Sequence, residues 1–139
     1  MTEADDELFG AEHVRAYRET GGERGYHWRG TTILLLTTTG RTSGEARTTP
    51  LIHRVDGDRW VVVASNGGAA DDPAWYKNLQ ADPEATIQVQ AEEVPVRKTV
   101  AEGEERSRLW KAMNEVWPAY DDYQAKTDRE IPVVVFERR

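Results

Sequence analysis

Apolar positions along this chain come in short blocks with two spacings, and the spacing separates strand from helix. Ile33 to Leu36 is an apolar run that passes into Thr37, Thr38 and Thr39, which predicts a strand over about 32–39. A β-favouring run predicts a second strand over about 46–55. Asp56-Gly57, with Asp58, then forms a hairpin turn into Arg59–Ser65. Within it WVVVAS is almost continuously apolar, as expected of a central strand covered on both faces, and Asn66-Gly67-Gly68 ends it. Further strands are expected over about 85–90, 94–101 and 131–137. In the second of these, Val94, Val96, Lys98 and Val100 alternate, and Pro95 suggests an edge position.

Helical spacing is clearest from Glu102 to Trp117, where Leu109, Trp110, Met113, Val116 and Trp117 make one apolar face. Glu104 and Glu105 sit in its first turn and Pro118 breaks it. A helix with a weaker stripe (Leu8, Ala11, Val14, Tyr17) is expected over about 4–19, stopped by Gly21-Gly22. Asp72-Pro73 supplies an N-cap and a proline at the first position of a short helix with Trp75, Tyr76 and Leu79. A brief segment with Tyr120 and Tyr123 precedes the last strand. There is no βαβ alternation, so the pattern predicts an α+β fold, an antiparallel barrel with helices outside it.

Composition narrows the classes. With 139 residues, 38% hydrophobic and 31% charged, one domain over 1–139 is expected, with residues 1–22 a peripheral N-terminal helix. Net charge is −7 and the pI near 5.0, which argues against nucleic acid as a partner. The absence of cysteine excludes disulfides, thiolate metal sites and iron–sulfur clusters. His13, His27 and His53 lack ligand spacing, so no metal is expected. No apolar run approaches the ~18 residues of a membrane span. The acidic start (Glu3, Asp5, Asp6, Glu7) has the wrong sign for a secretory signal, so a cytoplasmic protein is expected.

The chemistry concentrates in the turn after the first strand. Gly40, Arg41, Thr42, Ser43 and Gly44 put hydroxyls and backbone N–H groups into a tight bend, with Arg41 and Arg47 as bidentate donors. It reads either as an anion cradle or as a polar hairpin loop. It has no GKS/T ending and no G-x-G-x-x-G, so it is neither a P-loop nor a Rossmann turn. Ser65 ends the apolar strand with no base beside it and no G-x-S-x-G, which disfavours a hydrolytic nucleophile.

Four segments in order carry a resemblance: LLLTTTGRTSGEARTTPL, DGDRWVVVASNGGA, DPAWYKNLQADPEATIQV and VWPAYDDYQAKTDREIPVVVFER. Together, over roughly residues 10 to 138, the chain resembles the deazaflavin-dependent nitroreductase family, split β-barrel oxidoreductases that use reduced coenzyme F420. The resemblance implies that Arg41, Thr42, Ser43, Gly44, Arg47 and Lys77 hold the phosphorylated part of the coenzyme, with Arg54 a further basic candidate. It implies a ring slot from Thr48, Thr49, Pro50 and Leu51 with Val63, Ala64 and Ser65, and further coenzyme contacts at Asn66 and Trp75. Ser65, Tyr120 and Tyr123 take the catalytic places and, with Ile52 and Trp117, line the acceptor pocket. Thr42 and Asn66 stand where the family often has lysine, and Ile52 and Trp117 where it has tyrosine. The implied acceptor is a small molecule: a quinone, a nitroaromatic or an enone. A monomer or homodimer is expected, cytoplasmic or touching a membrane weakly through a quinone substrate. Two other readings stand beside this one, an FMN- or haem-type split-barrel protein and a non-catalytic deazaflavin carrier.

Overall fold

The computed structural model describes residues 5–139. Its elements are α1 (Gly10–Thr20), β1 (His27–Trp28), β2 (Thr31–Thr39), β3 (Ala46–Asp56), β4 (Arg59–Val63), α2 (Ala74–Ala81), β5 (Glu84–Val89), β6 (Glu92–Val100), α3 (Gly103–Val116), α4 (Ala119–Ala125) and β7 (Val133–Arg138). A single 3₁₀ turn, Asn66–Gly68, follows β4. The strands run antiparallel in the order β1-β2-β3-β4-β7-β6-β5. Pairing of β5 with β2 closes strands β2 to β7 into a six-stranded barrel, leaving β1 as a short flap on β2. This is the α+β split β-barrel that the pattern and the resemblance led us to expect.

Period-2 alternation decides what each strand buries. On β2, Leu34 and Leu36 enter the barrel with Val62, Ile87, Val134 and Phe136. Ile33 and Leu35 point outward and pack under Tyr17 of α1. On β4 and β7, Val61, Val63, Val133 and Val135 face outward beneath α3 and α4, against Leu109, Met113 and Tyr120. The WVVV run is therefore buried on both faces, as its continuous apolarity predicted.

Several expectations need correction. The helix expected over about 4–19 is interrupted: Asp5 is helical, residues 6–9 are not, and α1 runs from Gly10 to Thr20; residue 4 lies outside the described residues. Asp72 is not an N-cap, because α2 starts at Ala74 with Pro73 in the cap position, and the Asp72 carboxylate pairs with Arg129 instead. Pro95 is not on an edge, since β6 lies between β5 and β7. Its register partner on β5 is Thr86, and its carbonyl accepts from Arg139 N–H at 3.0 Å, just past the end of β7. The missing N–H thus falls where the neighbouring strand runs out, and no interior rung is lost. The turn between β5 and β6 carries no glycine, yet Gln90 takes φ +56 there and its N–H donates to Tyr17 Oη at 2.7 Å.

Tyr17 is the bolt between α1 and the barrel. It is fully buried, donates to Ile33 O at 2.9 Å and lies 3.3 Å from Gln88 O. Burial pushes its phenol up to about 12, so it stays protonated as a donor. Tyr17→Phe strands the Gln90 N–H and two carbonyls and is expected to cost about 2 kcal/mol in denaturant unfolding. A cost near zero would mean that α1 is held by apolar contact alone.

Candidate active site

β4 pairs with β3 only over Arg54 to Asp56, although β2 pairs with β3 as far as Ala46. The far edge of β3 from Ala46 to His53 therefore has no partner strand, and Pro50 is tolerated in mid-strand on that open edge. A cleft of about 940 Å³ lies along this edge. Its walls come from the turn after β2, from β3, from the segment after β4, from the start of α2, and from Trp117 and α4.

At one end, Gly40 N–H donates to Glu45 O and Gly44 N–H to Gly40 O, both at 2.8 Å, which folds the turn back on itself. A Cβ on Gly40 would stand 2.7 Å from the rotatable Ser43 Oγ and 3.2 Å from Glu45 O, so any side chain here crowds the turn. Asn78, buried on α2, fixes the turn to the barrel. Its Oδ1 accepts from Arg41 N at 3.1 Å and from Arg41 Nη1 at 2.9 Å, while its Nδ2 donates to Thr38 Oγ1 at 3.1 Å. The Arg41 guanidinium is thereby held at the cleft. Arg47, 61% exposed, pairs loosely with Glu45 at 3.5 Å and is free to turn toward a better anion. Arg18 on α1 adds a third cation here, donating to Thr48 Oγ1 at 2.7 Å.

At the other end, Ser65, Asn66 and Gly67 face Trp117, Tyr120 and Tyr123 across the cleft. Trp28 stacks on Trp117, with ring centroids 6.1 Å apart and planes tilted by 26°, and the pair forms an aromatic wall. Tyr120 and Tyr123 meet edge to face at 6.2 Å. Tyr120 is nearly buried among Met113, Leu109 and Ile131, and burial pushes its phenol far up. It is a hydrogen-bond donor, not an acid. Trp117 Nε1–H points at Tyr123 Oη over a long 3.4 Å, leaving the Tyr123 proton available to a ligand.

Fold and cleft bring together most of the residues singled out above: Arg41, Thr42, Ser43, Arg47, Thr48, Thr49, Pro50, Ile52, Val63, Ser65, Asn66, Trp75, Trp117, Tyr120 and Tyr123. Four do not line it. Gly44 sits at the outer corner of the turn, Ala64 is fully buried in the barrel core, and Lys77 lies off the face of α2 that presents Ala74, Trp75 and Asn78. Arg54, the fourth, is turned to α3, where it pairs with Glu115 at 2.8 Å, so it is not one of the cleft's cations. Sequence reasoning missed Asn78, Arg18, Trp28 and His13. Asn78 left a signal, a polar residue among Trp75, Tyr76 and Leu79. No cluster of three or more metal-ligating side chains occurs among the described residues.

The cleft suits a long ligand with a flat ring and an anionic tail. It has an aromatic and apolar wall, a strand edge with free backbone groups, and cations at one end. Comparison with known proteins agrees. The family model described as F420H(2)-dependent quinone reductase matches residues 10–138. An F420H(2)-dependent quinone reductase of Mycobacterium tuberculosis is 40% identical over 131 residues, covering 91% of this chain and 88% of the relative. A solved structure of an F420-H2 dependent reductase is 41% identical, with a TM-score of 0.70, over 78% of this chain and 95% of that one. A solved domain-swapped dimer is 38% identical, with a TM-score of 0.73, over 89% and 92%. The chain therefore belongs to the F420H(2)-dependent quinone reductase family and is an oxidoreductase that uses coenzyme F420.

Proposed function

We propose that the chain reduces quinones at the aromatic end of this cleft, and that flat nitroaromatic or enone acceptors enter the same place. The observation that carries this reading is the convergence of Ser65 and Tyr123 with a basic turn at opposite ends of one cleft. Arg41, Ser43 and Arg47 would hold the phosphorylated tail of F420, and Thr48 to Pro50 with Trp75 its ring. When bound in reduced form, the coenzyme supplies a hydride. A quinone that gains a hydride and a proton becomes a quinol, and negative charge builds on its oxygen along the way. The hydroxyls of Ser65 and Tyr123 donate hydrogen bonds to that oxygen. Trp28 and Trp117 exclude water and hold the acceptor ring flat.

Thr42 and Asn66 put no charge where relatives of the deazaflavin-dependent type often have lysine, so the load on Arg41 and Arg47 is greater. The whole length works as one reductase domain, with the N-terminal segment to residue 22 at its periphery. A solved relative that is a domain-swapped dimer supports the homodimer among the two expected states. No helix among the described residues is long and apolar enough to cross a membrane. A cytoplasmic enzyme that touches a membrane only through its quinone accords with this.

Tyr123→Phe is the direct test. It should leave the affinity for oxidised F420 unchanged and lower turnover of menadione about tenfold, the worth of one hydrogen bond to developing charge. The assay is the appearance of visible deazaflavin absorbance as the reduced coenzyme is consumed. Unchanged turnover removes Tyr123 from the reaction. Binding of F420 with no turnover in the unmodified protein would instead mark a carrier.

A further inference from the structure

Ser65, Asn66 and Gly67 reach the cleft from a segment that is not part of any strand. Asn66 (φ +47) and Gly67 (φ +63) are both left-handed, so no regular ladder sets the shape of this bend. Arg129 does. Its Nη2 donates to Ser65 O at 2.8 Å, and its Nη1 lies 2.9 Å from Asp72 Oδ1 and 3.3 Å from Ala64 O. Its Nε donates to Ala69 O at 2.9 Å. One guanidinium thus clasps the chain from residue 64 to residue 72, and its side chain is only 16% exposed.

The clasp is tied in turn to the helix that bears the tyrosines. Gln124 of α4 donates from Nε2 to Arg129 O at 2.8 Å and accepts from Ile131 N–H at 2.9 Å. Gly68 lies so close to α4 that a Cβ there would stand 2.8 Å from Tyr123 O. Two walls of the cleft that are far apart in sequence are therefore coupled through Arg129 and its neighbours. The cleft itself contains no part of Arg129.

We propose that Arg129 is a positioning residue for the reductase reaction: it sets the Ser65 hydroxyl against the Tyr123 phenol and so fixes where an acceptor oxygen can sit. This rests on the reading of Ser65 and Tyr123 given above. A planar fork with donors on three nitrogens can span four acceptors at once, whereas an ammonium at one point cannot. Lysine at this position keeps the charge and loses the geometry.

The test is a double-mutant cycle of Arg129→Lys and Ser65→Ala, with melting temperature, F420 affinity by tryptophan quenching, and kcat and KM for menadione measured on each protein. Arg129→Lys should lower kcat about tenfold, the scale expected when a reacting group is misplaced by a fraction of an ångström, with F420 affinity held. With Ala at position 65 the same change should cost less than about twofold, because the hydroxyl it places is gone. An equal loss in both backgrounds, following the fall in melting temperature, would mean a purely structural role and overturns the proposal. A loss for Ser65→Ala with none for Arg129→Lys also overturns it and leaves the reading of Ser65 intact. No loss for Ser65→Ala brings down that reading, and the proposal with it. Should Arg129→Lys fail to fold, Asp72→Asn loosens the same clasp and enters the cycle in its place, with the same outcomes.

Discussion

Replacing Arg41 and Arg47 together with alanine is expected to weaken binding of oxidised F420 by about 100-fold or more, while the melting temperature moves by only a few degrees. A hydrogen bond to a charged group is worth about 1.5–3 kcal/mol, so two lost contacts reach that size even after solvent screening at the exposed Arg47. Stability changes little for identifiable reasons. Arg47 gives up one loose surface pair with Glu45. At position 41, Asn78 Oδ1 still accepts from the backbone N–H, so no buried oxygen is orphaned. Titration by tryptophan quenching, alongside thermal melting, separates the two effects. Losses of equal weight would mean that these arginines hold the turn together and do not hold a ligand. Raising the salt concentration should weaken binding to the unmodified protein more than to the double variant, since the contacts removed are ionic.

Acid should destabilise the protein through His53, the second large effect. This ring is fully buried on β3, and its Nδ1 has no hydrogen-bond partner among the described residues. Burial holds its pKa down to about 4, against 6.5 for a free histidine, and outweighs the opposing effect of the Thr32 backbone. Between these two values the unfolded chain takes a proton that the folded one refuses. The stability is fully present above pH ~6.5 and is lost progressively as pH falls through about 4. Over that window the loss amounts to about 3 kcal/mol, a large share of the 5–15 kcal/mol typical of a domain. Denaturant unfolding of the unmodified protein and of His53→Leu at several pH values would show it. The variant should be flatter than its parent across this range; parallel curves would mean that His53 gains a partner as it charges. Asp56 acts in a separate, lower window. Hydrogen bonds from Arg108 and Arg59 hold its carboxyl down to about 2, so its contribution fades only below pH ~4.

The parts of the site differ in how far the sequence disclosed them. The basic turn is contiguous, and its two glycines, hydroxyls and arginines can be seen together in Gly40 to Arg47. Ser65 was legible as the end of an apolar run, and Tyr120 and Tyr123 only through family resemblance, because aromatic residues near a helix usually read as core. Trp28 falls between the first expected helix and the first expected strand, and nothing local marks it as the ring that stacks on Trp117. Asn78 and Arg129 act through buried hydrogen bonds to segments remote in sequence, and such bonds leave no periodic trace. The misplaced edge at Pro95 has the same origin: a proline reports a missing N–H, and only the neighbouring strand's length shows whether a partner was there to miss it.

The sequence by itself determined strands β2 to β7, the helix over Gly103–Val116 and the antiparallel fold class. Residues on one face of an element recur at its own period, and that is a property of consecutive positions. Tertiary structure alone decided that β5 closes the barrel on β2, that β4 parts from β3 and opens the cleft, and that Arg129 ties Ser65 to the helix of tyrosines. Each of these is a pairing between groups far apart along the chain, selected by which buried polar groups find partners once the core has closed.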